Sequence, residues 1–354
     1  MLTETVAGRT YDYSHSVGRN AETGMGFAYP VAVVVGKDDT AFVVNRGSEA
    51  ISNVPWNRIG VGARVSKVNL GGEAGQEEFI GEFGKYGNAD GQFIWGAGIA
   101  IDSTGNLYVT DEWLNRVSVF NKDGDFLNTW SAVESGDAGP NGISGIALDA
   151  NENLFITDGR SHKVLKFTKD GRFLSSWGSH GSGPGELDSP WGIDIDAEGF
   201  IYVADFQNHR VQKFTAEGQV VAQFGSHGTR RGQLNNPTGV TVDPDGDIYI
   251  SDWSENGWEQ GRVHIFAKDG KFLTSLLGDA QQLSLWAQMT VDANADYLKR
   301  RREVHSTEPE WTLAMPRSVH FDAAKNRLLV MDTQRSRVQI YNKQDGYMVP
   351  QLNL

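Results

Sequence analysis

The chain has 354 residues, a formal net charge of −13 and no cysteine. The missing cysteine excludes disulfides, thiolate zinc sites and cysteine nucleophiles, and the acidic balance argues against nucleic-acid or anionic-membrane partners, which need a basic face. No segment has the length and apolarity of a membrane span, and the N-terminus lacks the apolar stretch of a signal peptide, so a cytoplasmic location is expected.

In chain order, the first element is a strand over residues 11–19. Its "YSHSVGR" (Tyr13–Arg19) lines up with "FLSSWGS" (Phe173–Ser179) further on. A weaker repeat unit follows from Val31 to Val68. Four strong copies come next. Gly98, Gly145, Gly192 and Gly239 are spaced 47 residues apart, and Asp111, Asp158, Asp205 and Asp252 keep the same step. A last weak copy runs from Arg317 to Tyr341, giving six units over residues 27–346. Within one unit, "GIDID" and "FIYVAD" alternate with period two and read as strands; "HRVQKF" and "GQVVAQFG" supply two more. Asp123-Gly124, Asp170-Gly171, Glu217-Gly218 and Asp269-Gly270 mark the last hairpin of their units, read as two-residue turns in which glycine supplies the positive φ. Four antiparallel strands cannot bury their faces alone, but six such units stacked radially can. The sequence therefore predicts an all-β, six-bladed β-propeller in a single domain over residues 1–354.

A propeller has to tie its last blade to its first. Gly18 to Pro30 spans 12 residues, as do Gly178 to Pro190 and Gly225 to Pro237, which favours residues 11–19 as the outer strand of blade six. The alternative is that the C-terminal "YMVPQLNL" fills that edge. Either closure removes an exposed pairing edge. Between blades five and six the step grows to 79 residues (Gly239 to Ser318). The added segment, residues 278–315, has helical spacing at Leu283, Trp286 and Met289, and a basic run at Lys299–Arg302. A second insertion lies between Arg46 and Arg64. Both are expected over the same end of the channel, as lid-like or binding segments.

The units resemble the NHL repeat, and Pro190–Phe214 matches its pattern nearly position for position. The resemblance implies the fold and leaves function open, because NHL propellers include enzymes, RNA binders and interaction scaffolds. One enzyme family of this type, the peptidylglycine-processing amidating lyases, carries an "H-R-G-S-H" stretch with an active-site arginine. "NRGS" at Asn45–Ser48 is similar, and Arg46 matches that arginine. Those lyases bind zinc through histidines just before the first-strand glycine. Here the corresponding residues are Ala97, Ser144, Trp191 and Thr238, so the resemblance does not carry the zinc chemistry over.

The repeats separate scaffold from site. The Asp after strand two recurs at Asp111, Asp158, Asp205, Asp252 and Asp332, five or more residues before Arg116, Lys163, Arg210, Arg262 and Arg337. A feature present in five units reads as structural. His162 and His209 share one loop column, and His180 and His227 recur in "GSHG"; these too read as repeat features. By analogy with other propellers, two sets of connections open on one mouth of the channel. Their variable columns hold Arg46, Glu112, Trp113, Arg160, Trp191, Phe206, Trp253 and Arg317. Arginines hold anions and aromatics stack on rings. The set predicts a small-molecule site for an anionic or carbonyl-bearing ligand with an aromatic or apolar part. Arg46 and Glu112 are the candidate catalytic residues, of lyase or hydrolase type, and Trp113, Arg160, Trp191, Phe206, Trp253 and Arg317 the candidate binding residues. The alternatives are a face that docks a protein or peptide, and tryptophans that merely cap blade contacts. No cofactor is predicted. The channel column Val33, Ala100, Ala147, Asp194, Thr241 and His320 offers two ionisable groups, Asp194 and His320, too few to specify a metal.

Overall fold

The computed structural model describes residues 3–47, 60–132, 142–253, 261–280, 282–294, 296 and 312–344. The chain opens with β1 (Thr3–Val6) and β2 (Arg9–Val17). Blade one is β3 (Pro30–Val35), β4 (Thr40–Arg46), β5 (Ala63–Asn69) and β6 (Glu78–Phe83). Blade two is β7 (Gly96–Ile101), β8 (Leu107–Asp111), β9 (Arg116–Phe120) and β10 (Phe126–Ser131). Blade three is β11 (Ile143–Leu148), β12 (Leu154–Asp158), β13 (Lys163–Phe167) and β14 (Phe173–Trp177). Blade four is β15 (Pro190–Ile195), β16 (Ile201–Asp205), β17 (Arg210–Phe214) and β18 (Val220–Phe224). Blade five is β19 (Pro237–Val242), β20 (Ile248–Asp252), β21 (Arg262–Phe266) and β22 (Phe272–Leu276). After helix α1 (Leu285–Asp292), blade six adds β23 (Pro316–Asp322), β24 (Arg327–Asp332) and β25 (Arg337–Gln344). Five blades are four-stranded meanders. The sixth runs β23-β24-β25-β2-β1, so the N-terminal strand closes the ring by antiparallel pairing of β2 with β25.

The six first strands surround the channel, and the fourth strands form the rim. Alternation in each strand puts one face against each neighbouring blade. Phe42, Val44 and Val65 of blade one pack on Ile99, Val109 and Phe120 of blade two. Each buried side chain of this size contributes roughly 1.5–3 kcal/mol. The first-strand glycine is scaffold: a Cβ on Gly192 would lie 2.5 Å from the Thr238 carbonyl of the next blade.

The last hairpins are not two-residue turns. Asn121 N–H donates to the Asp125 carbonyl at 2.9 Å and Gly124 N–H to the Asn121 carbonyl at 3.0 Å, which makes three-residue loops. The same bonds recur at Thr168/Arg172, Thr215/Gln219 and Ala267/Lys271. Glycine takes the left-handed position after a type I turn, restoring the strand twist. At Gly218, with φ +83°, a Cβ would also meet the Trp177 ring at 2.4 Å.

The recurring Asp clamps the incoming chain. Asp111 accepts from Ile94 N–H at 2.7 Å, Asp205 from Asp188 N–H at 2.7 Å, and Asp252 from Asn235 and Asn236 N–H at 2.8 and 2.6 Å. Ion pairs join it to the basic column at Asp205–Arg210, Asp252–Arg262 and Asp332–Arg337. Arg116 instead donates to the carbonyls of Asn88, Ala89 and Gln92.

Helix α1, capped by the Ser284 hydroxyl, docks on the outer rim between blades six and one. Its buried Trp286 packs edge-on against Phe27 and Phe79, and Glu77 accepts from Leu285 N–H at 2.7 Å. No residue of α1 lines the channel cavity. The basic run at Lys299–Arg302, most of the insertion after Arg46 and the C-terminal "YMVPQLNL" lie outside the described residues. No described helix is long and apolar enough to cross a membrane.

Candidate functional site

Both sets of connections do meet at one mouth, tied by backbone bonds. Arg46 N–H donates to the Tyr29 carbonyl, Glu112 N–H to Trp95, Gly159 N–H to Gly142, and Thr333 N–H to Met315, at 2.9–3.1 Å. In blade five the Asn236 amide reaches the Trp253 carbonyl at 2.9 Å.

Arg46 is buried. Its Nε donates to the Gly96 carbonyl at 3.1 Å, its guanidinium lies 5.6 Å from the Trp95 ring centroid, and it forms an ion pair with Glu112. The two candidate catalytic residues, on neighbouring blades, therefore meet. The pairing defines the carboxylate: it is anchored by a guanidinium and only half-buried, rather than isolated among aromatics. Trp113 stands edge-on to Trp95 at 4.9 Å and is 56 % exposed.

On the other side, Trp191 meets Phe206 edge-on at 5.5 Å, and Phe206 stacks with Trp253 at 6.2 Å. The Arg317 guanidinium sits between two rings, 5.3 Å from Trp191 and 5.1 Å from Tyr29. A recess of about 170 Å³ joins the two sides and is lined by Glu112, Arg160, Trp191 and Phe206 together with Ser189 and Gln207. Below it runs the channel, a cavity of about 300 Å³ walled by the first strands. A concave, largely apolar space with a few charged groups is the usual form of a small-molecule site.

Sequence reasoning missed Tyr29 and Trp95. Both sit one position before their first strands, a column that also holds Gly142, Ser189, Asn236 and Met315. This column lies two residues before that of Ala97, Ser144, Trp191, Thr238 and Arg317, and its two aromatics break the repeat pattern in the same way.

Deeper in the channel the register corrects one position. Asp194 pairs with Tyr202 and Val34 with Phe42, so Val34, not Val33, belongs to the column of Ala100, Ala147, Asp194, Thr241 and His320. Blade one lacks the first-strand glycine by which the column was counted. Asp194 accepts from Thr241 Oγ1 at 2.8 Å, Val242 N–H at 2.9 Å and Ile195 N–H at 2.8 Å. Burial pushes its carboxyl up to about 6 against those hydrogen bonds. Burial likewise pushes the His320 imidazole down to about 4, against the opposing pull of Asp322. Among the described residues no third ligand-type side chain converges on Asp194 and His320. Among the described residues the one convergent set is His162, His180 and Asp188, in loops of blades three and four.

The NHL repeat model matches residues 187–214 and 234–261, in blades four and five. A search of curated proteins finds no match. Among solved structures, the chain is similar to virginiamycin B lyase from Staphylococcus aureus, with TM-score 0.53, 13 % identity, and coverage of 94 % of this chain and 99 % of that one. It is similar to a streptogramin B lyase, with TM-score 0.53, 12 % identity and coverage of 94 % and 98 %. It also resembles a protein of unknown function from Bacteroides thetaiotaomicron, with TM-score 0.61, 15 % identity and coverage of 95 % and 76 %. At these identities the likeness concerns the fold. The chain is a six-bladed β-propeller of antiparallel blades, five four-stranded and the sixth extended by β1, and blades four and five match the NHL repeat.

Proposed function

We propose that this propeller binds a small molecule at the mouth of its channel, an anionic or carbonyl-bearing compound with a flat aromatic or apolar part. The observation that carries the reading is the recess shared by Glu112, Arg160, Trp191 and Phe206, opening beside the channel. Trp191, Phe206 and Trp253 offer faces for stacking, and Arg160 a guanidinium for a carboxylate. Arg317, held between Tyr29 and Trp191, stiffens the aromatic wall and adds positive potential.

The finer reading is catalysis of lyase or hydrolase type. Glu112 lines the recess beside the Arg46 guanidinium, so a carboxylate that takes a proton stands next to a cation that stabilises developing negative charge. The similar structures named as virginiamycin B and streptogramin B lyases lend the lyase option support at the level of fold. A second reading, docking of a protein or peptide, draws on the exposed Trp113.

The test is calorimetric titration with a panel of aromatic carboxylates. Trp191→Ala and Arg160→Met should each weaken the best binder about 10- to 30-fold, the size of one stacking or charge-assisted contact. Trp113→Ala should leave it unchanged. Uniform failure of the panel, or affinity unchanged from the parent in both Trp191→Ala and Arg160→Met, sinks the small-molecule reading. Loss confined to Trp113→Ala would favour the docking face.

A further inference from the structure

We propose that His162, His180 and Asp188 form a binding site for a zinc-type divalent transition-metal ion, on the rim between blades three and four. His162 lies in the connection from β12 to β13. His180 and Asp188 lie in the connection from β14 to β15. The Asp188 carboxylate bridges the two rings: its Oδ1 is 3.5 Å from His162 Nδ1 and its Oδ2 is 3.5 Å from His180 Nε2. The imidazole centroids are 4.3 Å apart, and one ligand atom from each of the three residues lies within 4.8 Å of the other two. A tetrahedron with bonds of about 2.1 Å has ligand–ligand edges of about 3.4 Å, which each of the two carboxylate–imidazole spacings already matches. Two imidazoles and a carboxylate are a borderline-soft set that suits zinc or cobalt over calcium or magnesium.

The surroundings hold these groups in the ligating form. Ser189 N–H donates to His162 Nδ1 at 3.1 Å, so that nitrogen carries a lone pair rather than a proton, and an ion bound there takes the place of this hydrogen bond. Asp188 is fixed at both backbone ends, its N–H on Asp205 Oδ1 at 2.7 Å and its carbonyl accepting from Gln207 N–H at 3.1 Å. His180 is the open side, 67 % exposed, so an ion can enter and a fourth position faces solvent. Ser189 also lines the recess at the mouth, which sets the metal site beside the proposed ligand site without making one depend on the other.

The next blade is a built-in control. His209 and His227 stack in the same way, with centroids 4.0 Å apart, but Asn235 stands where Asp188 does and His209 Nδ1 is engaged by the Asn235 carbonyl. Histidine stacking alone is therefore a repeat feature; the carboxylate is what makes the blade-three set a ligand set.

The test is titration of the whole chain, freed of metal by chelator, with Co²⁺ followed by its visible d–d bands and with Zn²⁺ by calorimetry. One ion per chain is expected. His180→Ala and Asp188→Asn should each weaken binding about 100-fold or more, beyond the effect of losing an outer partner. His227→Ala should leave it unchanged. Thermal unfolding of each metal-free variant checks the fold, which an exposed His180 does not support. No binding by the parent chain at submillimolar metal, binding as tight as the parent's in His180→Ala and Asp188→Asn, or loss in His227→Ala overturns the proposal.

Discussion

Replacing Lys343 by Met should destabilise the closed ring by about 3 kcal/mol. Lys343 lies on β25 of blade six, is 5 % exposed, and sends its ammonium into the β19–β20 turn of blade five. There it contacts Asp243 Oδ2 at 2.5 Å, Asp245 Oδ2 at 2.7 Å and Asp247 Oδ2 at 3.1 Å. Burial alone would favour the neutral amine, but the bonds to Asp243 and Asp245 outweigh it and raise the Lys343 pKa, so the lysine is charged throughout the neutral range. The Asp243 and Asp247 side chains are fully buried, whereas Asp245 is largely exposed. Asp247 keeps a second cation, since Arg9 of β2 binds it through two bonds of 2.6 and 2.7 Å. Asp243 keeps only neutral donors: Tyr249 Oη at 2.7 Å and the N–H groups of Asp245 and Asp247 at 3.0 and 2.9 Å. Removing one partner of a buried pair costs about 3–5 kcal/mol, and the surviving Arg9 places this case at the lower end. With an unfolding entropy of about 2.1 cal/mol/K per residue over 354 residues, that is a fall of about 4 °C in Tm. Urea unfolding at pH 7 measures the loss, and the double variant Lys343→Met/Asp243→Asn should recover most of it, because the stranded charge is then gone. A single variant within 1 kcal/mol of the parent, or no recovery in the double variant, would refute the account of Lys343 as the counter-ion of Asp243.

Asp194 has a folded-state pKa raised to about 6, so its ionisation opposes folding: the cost is absent below the unfolded value near pH 4, grows through pH 4–6 and is fully present above pH 6. Asp194→Asn should therefore be more stable than the parent by about 2 kcal/mol at pH 8, after discount for channel water, and indistinguishable at pH 3; equal differences at both pH values would contradict this. His320 is the reverse case, depressed to about 4: the stability of its neutral form is present above pH 6.5 and is lost as pH falls toward 4. His320→Gln should lose that acid slope, read from urea midpoints at pH 7 and pH 4.5. Deleting residues 3–17 removes β2 with its buried Tyr11 and Val17 and leaves β25 as an unpaired edge. The truncated chain should self-associate in sedimentation velocity runs and lose cooperative unfolding, whereas a monomer with an unchanged Tm would show that the ring closes without this strand.

The repeats made the fold legible because strand formation and blade packing are local and periodic. The alternation of "GIDID" and "FIYVAD" sets which face is buried, and the 47-residue step of Gly98, Gly145, Gly192 and Gly239 sets the blade. The same periodicity separated the recurring Asp clamp from the variable residues of the mouth. Where the repeat degenerates, the sequence misleads: blade one lacks the first-strand glycine, and only strand register moves Val34 into the channel column. The hairpins kept their glycines but gained a residue, because the sequence shows that a positive φ is needed and not where in the loop it falls. Contacts across blades were beyond reach of the pattern. Arg46 and Glu112 are 66 residues apart and Lys343 and Asp243 are 100 apart. His162 reads in the sequence only as a repeat feature, and nothing there links it to Asp188, which a second connection brings beside it. The sequence by itself determined the blade, since burial alternates with the chain; the tertiary structure alone decided which charges meet, since closing the ring fixes the distances between residues that no local preference relates.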